Sequence, residues 1–283
     1  MIDFFLHLVS NLTPLLLTAG GVVFTELAGV LNIGAEGMMV WGAFFSLAIY
    51  IVTENVYLAL FGAALVGGLA GALVGIMHVR YKANVFIAGL SINLFAWGLT
   101  PILGSLFFGI KGVISLTQLG LGLEELTTGL GWLQILSFFV MGLSWFVLYQ
   151  TRTGVVYRAL YSDSEGVGNL GISKGFFQIS ALVVSGILAG LAGAALAFRL
   201  GAYVPNMSAG RGWISLVVVF LGNMNPLGIL IASGVFSGAE LLATQAQEGF
   251  GLPGILNGLP YLMTLLALVV WAVVRRVNSH QKQ

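Results

Sequence analysis

Cysteine is absent from this chain, and with it go disulfides, thiol nucleophiles and thiolate metal sites. Charge is scarce as well. Only 7% of the 283 residues are Asp, Glu, Lys or Arg, where a soluble domain carries roughly 25%. The 11 basic and 10 acidic side chains nearly cancel, so there is no electrostatic case for nucleic acid as a partner. His7, His78 and His280 are widely separated, and none pairs with acids at metal-ligand spacing. No GxxxxGK(S/T) phosphate loop occurs. ATP binding in the P-loop manner is thereby excluded.

What remains is apolar: 58% hydrophobic residues and a mean hydropathy of +1.01. A bilayer core of about 30 Å takes about 20 such residues per helix. Nine runs qualify: Leu12–Leu31, Glu36–Val52, Val56–Val79, Val85–Phe108, Trp132–Tyr149, Phe176–Phe198, a short Trp213–Met224, Leu227–Thr244 and Leu259–Val274. The chain therefore reads as a single all-α integral membrane domain over residues 1–283, a polytopic bundle of about nine spans. No Lys or Arg precedes the first apolar run, and no small-residue cleavage site follows it, so that run reads as a span and not a removable signal.

Basic residues orient the bundle. With the N-terminus outside and the C-terminus inside, the cytoplasmic side holds Arg80, Lys82, Arg152, Arg158, Lys174, Arg275, Arg276 and Lys282, against Lys111, Arg199 and Arg211 outside. Two connections are long. Residues 109–131 lie outside, and their apolar alternation suggests a short helix lying on the membrane surface or packing over the bundle. Residues 151–173, TRTGVVYRALYSDSEGVGNLGIS, are cytoplasmic and form the most polar stretch. There Asp163 and Ser164 can cap a short helix through Glu165 and Asn169 that Gly171 ends. Such a loop helix standing clear of the membrane is a shape another protein can grip. As a bland alternative it is a solvated connector.

Two handovers between apolar runs share a pattern. LNIGAEGMMVWGAF, from Leu31, and VPNMSAGRGWISLVVVF, from Val204, each place a Gly-rich stretch with one charge, Glu36 or Arg211, before a new run. In the orientation above the two runs point in opposite directions. Spans one to four and six to nine are then expected to form an inverted repeat with interrupted helices, a transporter plan with the solute path at the repeat interface. Asn32, Gly34 and Gly37 can supply the first turn, and Glu36 suits a helix N-terminus. Glu36 can line the pathway or its gate, or simply cap the second span at the cytoplasmic face. Glu26, near the end of the first span, needs a cavity or a partner, for which Arg199 and Arg211 are candidates.

Uncharged polar residues can also line a path. Phe86, Phe95 and Trp97 around Asn93 could sandwich a flat ring while amides read its edge; equally, Asn93 and Thr100 could bond neighbouring helices. The ladders Gly67, Gly71, Gly75 and Gly186, Gly190 have the small-xxx-small spacing of closely packed helices.

These motifs together resemble a family. LNIGAEGMMVWGAF is similar to the LNIG-x-EG-x-M-x-x-GA signature of bacterial ABC importer permeases of the branched-chain amino acid, ribose and nucleoside group. KANVFIAGLSINLFAWGLT (Lys82–Thr100) and MSAGRGWISLVVVFLGNMNPLG (Met207–Gly228) resemble segments of its nucleoside-type branch. The resemblance implies a non-catalytic permease subunit of the bacterial cytoplasmic membrane, working by alternating access. It implies a separate ABC ATPase that uses ATP and Mg, a second and paralogous permease subunit, and an extracytoplasmic solute-binding protein. By the same resemblance residues 151–173 are the loop that docks into the ATPase, where Gly154, Arg158, Ala159, Gly171 and Ile172 match the family frame. Gly166 and Val167 replace a common pair of alanines, and Tyr161 a usual glycine. Arg158, Asp163, Glu165, Asn169 and Gly171 are the expected coupling residues. Asn32, Glu36, Asn93, Phe95, Trp97 and Arg211 are the expected pathway or gate residues. Nucleosides lead as solute, with riboflavin, another heteroaromatic or a simple sugar as alternatives. An ATP-independent secondary transporter or channel is the rival from another class, and a membrane scaffold a third.

Overall fold

A computed structural model describes residues 2–122 and 124–250. The expected ninth span Leu259–Val274, the basic residues Arg275, Arg276 and Lys282, and His280 lie outside them. The helices are α1 (Ile2–Leu27), α2 (Ala35–Thr53), α3 (Val56–Val79), α4 (Val85–Phe108), α5 (Glu124–Gln150), α6 (Arg152–Ser162), α7 (Ser164–Asn169), α8 (Lys174–Leu200), α9 (Arg211–Leu221) and α10 (Pro226–Phe250). Seven of these are long and apolar enough to cross a membrane. α9 is not: its 11 residues rise only about 16 Å. The seventh expected span is thus a half-helix.

α8 is the axis of the bundle, packed against α1, α2, α3 and α5. Glycine is what lets it approach so closely. A Cβ on Gly67 would land on the carbonyl of Gly186, and one on Gly71 on the carbonyl of Leu182. Gly190 and Gly193 meet the backbones of Ala63 and Met39 in the same way. Backbones in direct contact gain dispersion where lipid gives no hydrophobic drive to associate. α4, α5 and α10 are outer elements, buried over only about a third of their most apolar windows.

The connection 109–131 departs from the short helix expected of it. It holds strand β1 (Ile114–Ser115) and a 3-10 turn (Thr117–Leu119), and α5 begins at Glu124, eight residues before Trp132. β1 pairs antiparallel with β2 (Ala202–Tyr203), Ile114 opposite Tyr203. The apolar alternation is satisfied by a distant partner instead of a helix face. Tyr203 continues inward, donating to Thr100 Oγ1 at 2.7 Å and meeting Phe44 edge-on. This ties the chain after α8 to α4 and α2.

Candidate functional site

The two handovers meet inside the bundle. Residues 28–34 leave the end of α1 and turn through Gly29 in the left-handed region (φ 72°). They then run beside α8. Gln178 Nε2 donates to Ala28 O at 3.4 Å, and Asn32 Nδ2 donates to Ser185 Oγ at 2.8 Å. Ser185 is 11 residues past Lys174, so Asn32 sits about 16 Å above the start of α8. Asn93, eight residues into α4, accepts from Gly37 N at 2.7 Å and donates to Ile33 O at 2.9 Å. α2 therefore starts well inside the bundle and not at one end of it. Irregular backbone survives at that depth only when protein surrounds it; Asn32, Asn93 and Ser185 are each fully buried.

The second handover arrives from the far end of α8. Asn206 (φ 59°), Ala209 (φ 46°) and Gly210 (φ 81°) occupy the left-handed region, turning the chain into α9. Two L side chains in that region are strained and persist only where the surroundings hold them. The Glu36 carboxylate does the holding. Its Oε1 accepts from Ser208 Oγ at 2.5 Å and Gly210 N at 2.7 Å, and its Oε2 from Gly212 N at 2.7 Å. Gly210 and Gly212 are the N-cap and second residue of α9, while Glu36 lies in the first turn of α2. Two positive helix ends thus converge on one carboxylate, which offsets the dipoles of both. Gly212 is required by contact: a Cβ there would lie 2.7 Å from Glu36 Oε2.

Arg211 points the other way and forms an ion pair with Glu240 of α10, while its Nη1 donates to Ser208 O at 3.4 Å. Arg199 donates to Asn11 of α1. Neither arginine partners Glu26, whose Oε1 is buried without a hydrogen-bond partner among the described residues. Asn32, Glu36, Asn93 and Arg211 are therefore brought into one polar junction. Phe95 and Trp97 are not. Both are exposed on the outward face of α4, with Phe86, and Phe95 packs edge-on against Trp41. The Asn93 amide, its oxygen and nitrogen both engaged, faces into the bundle, so the aromatics and the amide lie on separate surfaces. Ser185 completes the junction with Ser208 and Glu240, and the sequence reading misses the last two. The available signal was Glu240, an acid inside an apolar run, which calls for a cationic partner.

A second feature projects from one end. α6 and α7 form a bent elbow between α5 and α8. Thr151 caps α6 by accepting from Gly154 N, and Asp163 caps α7 by accepting from Gly166 N at 2.9 Å. Gly171 (φ 77°) follows the last turn. Tyr157 of α6 is the anchor. It is buried edge-on against Phe24 and Phe177, and its hydroxyl lies 3.3 Å from Ser180 Oγ. That burial pushes the phenol above its ordinary pKa, so the hydroxyl stays protonated. Arg158 stacks over Tyr149 at 5.0 Å, yet it remains exposed, as do Asp163, Glu165, Asn169 and Gly171. Leu170 is 77% exposed and Tyr161 46%.

The family model for the permease component of branched-chain amino acid transport systems matches residues 4–274. The chain belongs to that family. Its relatives include a nucleoside ABC transporter permease of Lactococcus lactis subsp. cremoris, 30% identical over 92% of this chain and 89% of that one. A putative glucose ABC transporter permease of Haloferax volcanii is 31% identical over 94% and 90%. A guanosine ABC transporter permease of Bacillus subtilis is 27% identical over 90% and 87%. No solved structure matches. As a member of a family of ABC permeases, the chain is a multi-pass membrane transport subunit, and its polar junction is a feature of a permease core.

Proposed function

We propose that this chain is the membrane subunit through which an ATP-binding-cassette importer passes nucleosides. Near-full-length similarity to a nucleoside permease and a guanosine permease carries the reading. The chain itself catalyses nothing and holds no cofactor; a separate ATPase uses ATP and Mg, and an extracytoplasmic binding protein delivers solute. A second, paralogous permease subunit covers the exposed face of α4, so that Phe95 and Trp97 line a shared conduit. The N-terminus lies outside, and the elbow at residues 151–173 lies in the cytoplasm. Its exposed Leu170 and Tyr161, away from lipid, supply an apolar patch for the ATPase, flanked by Arg158, Asp163, Glu165 and Asn169. The anchored Tyr157 passes the stroke to α1 and α8. The two halves then rock about the crossed handovers, as expected of an inverted repeat, with Asn32, Glu36, Asn93 and Arg211 fixing the gate between them.

The glucose permease relative favours one alternative, a sugar as solute. Uptake by the reconstituted complex decides between them. Proteoliposomes holding this chain, its partner permease, the ATPase and the binding protein should accumulate labelled guanosine or uridine only with internal-face ATP, and excess glucose should not compete. Competition by glucose but not by nucleosides would refute the nucleoside assignment. Uphill uptake by this chain alone would refute the importer.

A further inference from the structure

The elbow end of the bundle contains a crevice lined by none of the proposed gate residues. It encloses about 360 Å³ and is lined by His78, Val79, Lys82, Lys174, Gly175 and Gln178. Two lysines and a histidine line it from two separate segments, and no Asp or Glu among the described residues does. The site is held in shape. Beyond the end of α3 the chain folds back, with Ala83 N donating to Met77 O at 3.0 Å and His78 Nδ1 donating to Ala83 O at 3.0 Å. Lys82 is fixed at φ 58° in this turn. Gly175 lets α8 begin against Val79, where a Cβ would stand 2.5 Å from Val79 Cγ1. The first turn of α8, capped by Ser173 Oγ accepting from Phe176 N at 3.4 Å, adds the positive end of its dipole.

Position identifies the anion. Tyr81 beside Lys82 is 72% exposed and Phe176 beside Lys174 is 67% exposed. An exposed tyrosine such as Tyr81 at a helix end marks the level where hydrocarbon gives way to headgroups. Phosphates of anionic lipids lie at that level and are drawn to basic pockets between helices. The elbow's own acids do not compete: neither Asp163 nor Glu165 lines the crevice, and Asp163 caps α7. Lys174 meanwhile reaches the elbow, donating from Nζ to Ser164 Oγ at 3.3 Å in the first turn of α7.

We propose that this crevice binds the phosphate of an anionic phospholipid from the surrounding membrane, and that through Lys174 the bound headgroup steadies the elbow. The inference rests on the proposed membrane placement, but lipid retention is read without solute, so its failure is distinguishable from failure of the transport reading. The purified importer complex is placed in nanodiscs of phosphatidylcholine alone, or of equal parts phosphatidylcholine and phosphatidylglycerol. Lipid retained after mild detergent release is counted by native mass spectrometry. Phosphatidylglycerol should be retained in preference, and Lys82→Gln with Lys174→Gln should reduce its retention roughly tenfold or more. Lys82→Arg with Lys174→Arg should preserve it, as should Arg80→Gln, which leaves the crevice intact. Phosphatidylglycerol should also raise the unfolding midpoint of the wild type, while inorganic phosphate added to phosphatidylcholine nanodiscs should not. Equal retention by wild type and the Gln pair would overturn the proposal. So would stabilisation by inorganic phosphate equal to that by the lipid, or loss of the ATPase from the Gln pair in both lipids, which would assign the lysines to a protein contact.

Discussion

The carboxylate of Glu36 and the amide of Gly212, 176 residues apart in the chain, meet at 2.7 Å. That bond closes a junction in which the start of one helix caps the start of another. A glutamate 1% exposed in a membrane protein is costly unless each oxygen is satisfied. Here two backbone amides and one hydroxyl satisfy it. Removing the side chain reverses the situation, because Ser208 and Gly212 are then left as buried donors and Gly210 as a part-buried one. A lost partner for a buried donor costs about 1–3 kcal/mol. Glu36→Ala is expected to destabilise the chain by about 3–5 kcal/mol, and Glu36→Gln by less, since one oxygen remains. Thermal unfolding in detergent measures both; an unchanged midpoint for Glu36→Ala would remove the junction from the account.

Glycine supplies the second test, because contact and not composition makes it necessary. Gly212→Ala would press a methyl group against Glu36, and Gly186→Ala would press one into the α3 backbone at Gly67. Gly98 and Gly234 have nothing within 4 Å of the same position. Overpacking of this kind costs about 1–3 kcal/mol, and both crowded variants should express at lower levels in the membrane. Gly98→Ala and Gly234→Ala should match the wild type or exceed it slightly, since alanine favours helix. Four variants of equal yield would contradict the close packing described.

Asn93 separates scaffold from solute contact. Both ends of its amide are engaged, by Gly37 N and Ile33 O. Asn93→Asp keeps the acceptor but turns an oxygen toward the Ile33 carbonyl, so it should lower stability by about 1–3 kcal/mol. Uptake by the surviving fraction should keep the wild-type order of preference among nucleosides. A changed order would place Asn93 against the solute after all.

Arg211 and Glu240 offer a reciprocal measurement. Each is partly buried, at 18% and 31% side-chain exposure, so solvent screening weakens the pair without abolishing it. Arg211→Met and Glu240→Gln should each destabilise the chain, and the double variant by less than their sum, with a coupling of about 0.5–3 kcal/mol. Strict additivity in unfolding midpoints would show that the two side chains act independently.

How far the sequence revealed these features depended on range. The cap at Asp163 was legible because the residue and the amide it accepts, Gly166 N, are three positions apart. Glu36 at a helix start was legible for the same reason, since Asn32, Gly34 and Gly37 surround it. Its partners were not, because nothing local in LNIGAEG names Ser208 or Gly212. Depth was hidden likewise: only the bonds from Asn32 to Ser185 and from Gly37 to Asn93 place the break well inside the bundle. The strand at Ile114 is not legible locally because its pairing partner, Tyr203, comes from the other half of the chain. Exposed Leu170 was passed over since an apolar residue in an apolar protein carries no signal until its surroundings are known.

The elbow provides the test closest to mechanism. Arg158 and Glu165 are exposed on it, whereas Tyr157 is buried beneath it against Phe24 and Phe177. These positions predict different failures. Replacing Arg158 and Glu165 together by alanine alters the exposed face of the elbow, with loss of the Arg158 stack on Tyr149 but not of the Tyr157 anchor. Uptake should then fall severalfold while the membrane complex still assembles. Tyr157→Phe keeps both ring contacts and loses only the 3.3 Å hydroxyl contact to Ser180, so uptake should stay near the wild-type level. Tyr157→Ala removes the anchor itself. The ATPase should still bind and hydrolyse ATP, but less solute should move for each ATP consumed, because the stroke no longer reaches α1 and α8. Measuring uptake and hydrolysis in the same proteoliposomes distinguishes the cases. A Tyr157→Ala complex with an unchanged ratio would mean that force enters the bundle elsewhere.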